Sequence, residues 1–227
     1  MAPSLSVKRA MGRGARRREQ PWPIRVAHWT AVVAIVVMAG SGLQIWAAYP
    51  YLGPRGARYA WFPLQGLMLS NAWRLGGWLA GARHLHFAFA WLFLVNALFY
   101  VAFTVLSGEW QRRFFQPKRD ARNAAETALH YARLRPTPPQ SGLYNGLQRL
   151  AYTGAIALGA TQLLSGVALW KPVQLQLLVA CFGGYDGARA VHFLSLVGLA
   201  VFVVAHVGMV AIHPRTLLAM IGGGRRE

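Results

Sequence analysis

Residues 190–212, AVHFLSLVGLAVFVVAHVGMVAI, contain no Asp, Glu, Lys or Arg but include two histidines, His192 and His206. An apolar run of about 20 residues is enough to cross a bilayer as one helix. The histidines are 14 residues apart, which is roughly 21 Å of helical rise. At about 100° per residue, their side chains point within some 40° of each other. Ionisable groups inside a membrane are costly, so by default they mark function. A chain holding this span has to cross a membrane and give two imidazoles, at opposite depths of one helix face, something to hold.

Three more charge-free apolar runs of spanning length occur, at 26–47, 84–106 and 150–170. The expected fold is all-α: an integral membrane four-helix bundle over residues 22–222. A basic arm (1–21), expected to be disordered, precedes it and a short tail (223–227) follows. No small-residue cleavage site of clear form follows Arg16–Arg18, so the first span reads as an uncleaved anchor. With 24 Lys/Arg against 6 Asp/Glu, the chain carries +18. In a soluble protein that excess would point to nucleic acid; here its distribution matters more. Seven basic residues lie in 1–25, eight in 107–149 and three after 212, against four in 48–83 and two in 171–189. By the positive-inside rule both termini and the 107–149 connection are cytoplasmic. This predicts a multi-pass membrane protein with no nucleic-acid partner. The single cysteine excludes an internal disulfide and a C-x-x-C-H attachment, so any haem is held non-covalently.

The connections add detail. WFPLQGLMLS (61–70) should lie along the membrane surface or over the bundle, and 120–134 is an amphipathic helix closed by Pro136, Pro138 and Pro139. Residues 173–186 are too short to span and read as an outer interfacial helix stopped at Gly183-Gly184. Two repeats stand out. S-G-x-x-x-W occurs at 41–46 and 165–170, in the outer halves of outward-running helices. Small residues there permit close approach of a neighbouring helix or of a flat ligand. Arg-x-x-His occurs at Arg25–His28, Arg83–His86 and Arg189–His192. Residues i and i+3 share a helix face, so each arginine can make charge-assisted hydrogen bonds to an anion beside its histidine's ligand. A haem propionate is such an anion, and an interfacial anchoring role is the plainer alternative.

By depth, His28 pairs with His206 on the cytoplasmic side and His86 with His192 on the outer side. Each pair would flank one haem, and no deep imidazole is left without a partner. Zinc fits less well, because it wants three or four converging ligands and the spans hold no carboxylate. His84 is about 200° of rotation from His86, so both cannot face one haem; the Arg-x-x-His spacing selects His86. His213 with Pro214 marks a helix end, and His130 should be solvated.

These residues resemble the bacterial four-helix dihaem cytochrome b family, the membrane subunits of hydrogenase, formate dehydrogenase and thiosulfate reductase type. The resemblance spans about 22–222 and is carried by RVAHW (25–29), RHLHF (83–87), YNGLQ (144–148), SGVALW (165–170), RAVHF (189–193) and AHV (205–207). It implies two b haems, with His28 and His206 on the inner iron and His86 and His192 on the outer. It also implies a quinone site near the inner haem, beside Asn145 and Gln148, for which helix capping is the structural alternative. GGYDGARAVHF (183–193) looks most like members that serve periplasmic molybdenum enzymes; hydrogenase or cytochrome partners belong to the same analogy. The implied role is electron transfer between a periplasmic redox enzyme and the quinone pool, with no soluble-substrate catalysis by this chain. The rival classes are a proton-relaying transporter and a non-redox anchor for a soluble enzyme.

Overall fold

The structure, a computed structural model, describes residues 20–54, 57–140, 142 and 144–224. Most of the basic arm (1–19) and the last three residues lie outside the described residues. Eight α-helices are described: α1 (Trp22–Trp46), α2 (Leu79–Leu106), α3 (Trp110–Arg113), α4 (Pro117–Tyr131), α5 (Gly146–Trp170), α6 (Gln176–Cys181), α7 (Tyr185–Ile212) and α8 (Pro214–Gly222). A 3₁₀ turn at Asn71–Trp73 precedes α2. Four of them, α1, α2, α5 and α7, are long and apolar enough to cross a membrane.

Each spanning helix begins four or five residues before its apolar run. Hydropathy marks the part in lipid, whereas a helix begins where its first turn is satisfied. For α5 that point is a capping box: the Asn145 side chain accepts from the Gln148 amide at 2.8 Å, and the Gln148 side chain accepts from the Asn145 amide at 3.1 Å. For α7 it is Gly184, whose φ of 94° with Gly183 at 77° turns the chain sharply out of α6. His213 does end the last span, and α8 starts directly after it at Pro214.

The spanning helices pair in sequence, α1 with α2 and α5 with α7. The described part of the 48–78 connection folds over the end of the bundle that carries His86 and His192. Leu52 and Phe62 are buried with Ala190 of α7, packed by Trp46, Tyr59 and Phe193. Gln65 locks this cover, accepting from the Leu52 amide at 2.9 Å and donating to the Leu52 and Tyr59 carbonyls at 3.0 Å each. On the other side α4 lies against α5. Gly146 sits so close that a Cβ would stand 2.5 Å from the Asp120 carbonyl oxygen, and Asp120 accepts from Arg149 at 2.7 Å and Arg119 at 2.9 Å. The Gln20 amide donates to the Gly223 carbonyl at 3.0 Å, which ties the start of the described chain to its end.

Candidate functional site

The expected histidine pairs come together. His28 of α1 and His206 of α7 have ring centroids 6.2 Å apart, and His86 of α2 and His192 of α7 are 6.3 Å apart. His84, by contrast, is exposed. All four paired rings are half-buried.

At the outer pair the protonation is fixed by neighbours. Ser165 Oγ donates its hydrogen to the Thr161 carbonyl at 2.6 Å, so its remaining capacity toward His192 Nδ1, 2.9 Å away, is to accept. Ser41 Oγ likewise donates to the Val37 carbonyl at 2.7 Å, and His86 Nδ1 lies 3.1 Å from both Ser41 Oγ and the Met38 carbonyl. A carbonyl can only accept. Both Nδ1 atoms therefore carry hydrogen, which leaves each Nε2 lone pair bare. The serines of the S-G repeat thus orient the histidines of the partner helices. The glycines beside them make room for the rings: a Cβ on Gly42 would stand 3.4 Å from His86 Cε1, and one on Gly166 would stand 3.2 Å from His192 Cε1. The sequence pattern contained both residues of each pair, but the pairing across helices appears only in three dimensions.

Haem is the group to test against this geometry. Two imidazoles on opposite sides of one metal, each about 2.0 Å away with a ring half-width near 1.1 Å, have centroids about 6.2 Å apart. Both pairs match that spacing. The outer pair opens onto a cavity lined by Gly42, Trp46, Phe93, Gln162, Arg189 and Phe193, among others. Among the described residues no group of three His, Cys, Asp or Glu converges as a multidentate metal site would require. The donor set fits a flat macrocycle held by two histidines.

The three arginines differ. Arg189 lines the outer cavity and also donates to the Tyr49 carbonyl at 3.1 Å. Arg25 donates to the Ile221 carbonyl, and its buried Nε has no acceptor among the described residues. Arg83 is exposed, with its guanidinium 6.0 Å over the Phe87 ring. The Arg-x-x-His pattern does not reach Arg74, yet its Nε is also buried without an acceptor, and Leu75 next to it docks on Gly40 of α1. Asn145 and Gln148 spend their carbonyl oxygens on the α5 cap, which leaves their amide hydrogens to offer. Tyr144, one residue before the cap, is buried and hydrogen-bonded to Gln20 and Arg113. His130 is half-buried, 3.0 Å from the Arg135 carbonyl, rather than solvated.

The family described as prokaryotic cytochrome b561 matches residues 19–223. A putative protein-methionine-sulfoxide reductase subunit, YedZ1 of Azospira oryzae, is 41% identical over 208 residues, which cover 89% of this chain and 94% of that protein.

Proposed function

The chain belongs to the prokaryotic cytochrome b561 family, and we propose that it carries electrons through two b haems between the quinone pool and a periplasmic reductase. The coarser part of this is firm: it is a multi-pass membrane protein with a haem-b electron-transfer role. The finer assignment gives His28 and His206 to an inner haem and His86 and His192 to an outer one. Arg189, Arg25 and Arg83 serve the propionates. The basic bias supports cytoplasmic termini, and the family supports a bundle in the bacterial inner membrane. Asn145 and Gln148 remain the quinone residues, as donors to its oxygens.

Haem supplies the one-electron chemistry, and the protein sets ligation, orientation and potential. Ser41 and Ser165 hold His86 and His192 with Nε2 bare and the ring centroids 6.3 Å apart. Hydrogen bonding from Nδ1 raises ligand basicity. The described part of the 48–78 cover packs beside the outer pair, and apolar side chains wall its cavity. Helix α7, which carries one histidine of each pair, fixes the separation between the two sites. The Azospira relative is named for a reductase, which favours electrons leaving quinol on the cytoplasmic side and passing outward.

The observation that carries this reading is the equal spacing of the two imidazole pairs, 6.2 and 6.3 Å. The test is an optical spectrum of the purified protein, oxidised and reduced, with a haem count per chain. Two low-spin b haems are expected. One haem, or none, would break the pairing.

A further inference from the structure

The repeat that relates α1 to α5 and α2 to α7 departs from itself in the cytoplasmic half. His28 stands 13 residues before Ser41, and Tyr152 stands 13 before Ser165. His206 stands 14 residues after His192, and Tyr100 stands 14 after His86. On the outer side histidine therefore repeats as histidine. On the inner side each histidine has a tyrosine as its counterpart on the other helix pair.

The two tyrosines belong to one polar cluster. The Tyr152 ring stands edge-on to Tyr144, with centroids 5.6 Å apart. Tyr100 and Tyr152 both lie within electrostatic reach of Tyr144 and Arg113, and Tyr100 also within reach of Glu109. Tyr144 Oη accepts from Gln20 Nε2 at 2.7 Å and from Arg113 Nη1 at 3.1 Å. A phenol oxygen has two lone pairs, so both are used and its hydrogen is left to donate. Arg113 also donates to Gln20 Oε1 at 3.1 Å and to Glu109 Oε2 at 3.2 Å. Glu109 and Arg113 are buried at 4% and 6% exposure. On the other flank, Asn96 lies one turn before Tyr100 on α2 and donates to the Ala27 carbonyl at 2.9 Å, beside His28. The cluster thus runs from the neighbourhood of the inner histidine pair to a buried carboxylate at the cytoplasmic end of α2.

Packing alone would be served by phenylalanine at both repeat positions, without phenol oxygens to satisfy in an apolar bundle. We propose that Tyr100, Tyr152 and Tyr144 carry protons between the quinone site beside His28–His206 and Glu109, with Arg113 and Gln20 positioning Tyr144. This rests on the quinone reading above. Oxidation of a quinol breaks two O–H bonds. Two electrons go to the b-haem chain and on to the periplasmic acceptor, and two protons must leave. Each phenol takes a proton on a lone pair, at Tyr144 the one that the Gln20 amide vacates as the proton arrives, and passes its own hydrogen onward, so none has to ionise. Glu109 accepts the proton and releases it to the cytoplasm.

The experiment is stopped-flow haem reduction of the full chain by a short-chain naphthoquinol in H₂O and D₂O, with reduced hexaammineruthenium as a proton-free donor. Tyr100→Phe and Tyr152→Phe should keep both haem spectra and the ruthenium rate. Their quinol rate should fall about tenfold or more, with an altered solvent isotope effect. Glu109→Gln should behave alike. Phenylalanine variants that match the wild type with quinol in both solvents overturn the path. Equal slowing with ruthenium shows a structural role and also overturns it. A wild type that quinol does not reduce defeats the quinone reading itself, and the path falls with it.

Discussion

Replacing Ser165 by alanine removes one oxygen and leaves the His192 Nδ1–H, now 2.9 Å from Ser165 Oγ, without that acceptor. Ser165 is fully buried, so water cannot take its place. An unsatisfied buried donor costs about 1–3 kcal/mol. At about 1.4 kcal/mol per decade that is roughly five- to 150-fold in affinity, in line with the tenfold to hundredfold loss usual when a ligand histidine loses its hydrogen-bond partner. The outer haem of Ser165→Ala should therefore dissociate faster to an apoprotein acceptor, with the inner haem unaffected. Its midpoint potential should rise, because an imidazole that no longer donates from Nδ1 is a weaker base toward ferric iron. Ser41→Ala should be milder, since the Met38 carbonyl stays 3.1 Å from His86 Nδ1. The assays are haem transfer followed by absorbance and a redox titration of the membrane protein. A Ser165→Ala protein with unchanged outer-haem retention and unchanged potentials would refute the orienting role of the serine.

Further outcomes follow from the same geometry. His86→Ala should remove the outer haem and spare the inner, while His84→Ala leaves both, read from haem content per chain. A reporter fused after Glu227 should be active in the cytoplasm; activity confined to the periplasm would invert the bundle. Asn145→Asp keeps the oxygen that caps α5 but deletes the amide donor, so thermal stability should hold while haem reduction by quinol slows; equal quinol rates would move the quinone elsewhere. Burial works to raise the Asp120 carboxyl, but hydrogen bonds from Arg119 and the Gln116 amide, with the charge of Arg149, outweigh it and hold the group below its usual range. The sign follows from the lowered folded value: the stabilisation is complete above the unfolded pKa of about 4 and is lost as pH falls through the folded one. Acid melts of Asp120→Asn should therefore lack the part of the acid sensitivity that the wild type shows in that range.

The spans, their order and the pairing of four histidines by depth were legible in the sequence because each depends on one-dimensional quantities: run length, absence of charge and residue spacing. Helical rotation separated His84 from His86, and the Arg-x-x-His spacing made the choice of His86. Helix starts were less legible, since caps at Asn145 and Gly184 lie outside the apolar runs. The serines were visible as a repeat but not as hydrogen-bond partners, because Ser41 meets His86 and Ser165 meets His192 across helix pairs. Asn145 and Gln148 showed the opposite problem: one motif suits both a cap and a ligand site, and only coordinates show the carbonyl oxygens engaged in the cap. The cluster of Gln20, Glu109, Arg113 and Tyr144 joins residues from the chain's start, the end of α2 and the start of α5. No local pattern could announce it.

The same contacts weigh between an electron carrier and a proton-relaying transporter. A histidine that relays protons must gain and lose hydrogen at its ring nitrogens and face different neighbours in turn. Here His86 and His192 each have Nδ1 committed to a serine whose own hydrogen is committed to a carbonyl one turn earlier, and a glycine gives each ring its place. Taking a second proton at Nε2 would put a charged imidazolium in an apolar bundle whose spans contain no carboxylate to pair with it. Fixed, neutral rings in facing pairs suit permanent ligation and oppose turnover of protons at the same atoms. Proton movement needs groups that keep a hydrogen to give and a lone pair to take, and in this bundle those are the phenols. The division falls along the repeat: histidine remains where an electron site is kept in both halves or in one, and tyrosine stands at the matching inner positions. On the proposed path, electrons and protons leave the same quinol by separate sets of residues, the electrons outward along α7 and the protons back past Tyr144 toward Glu109.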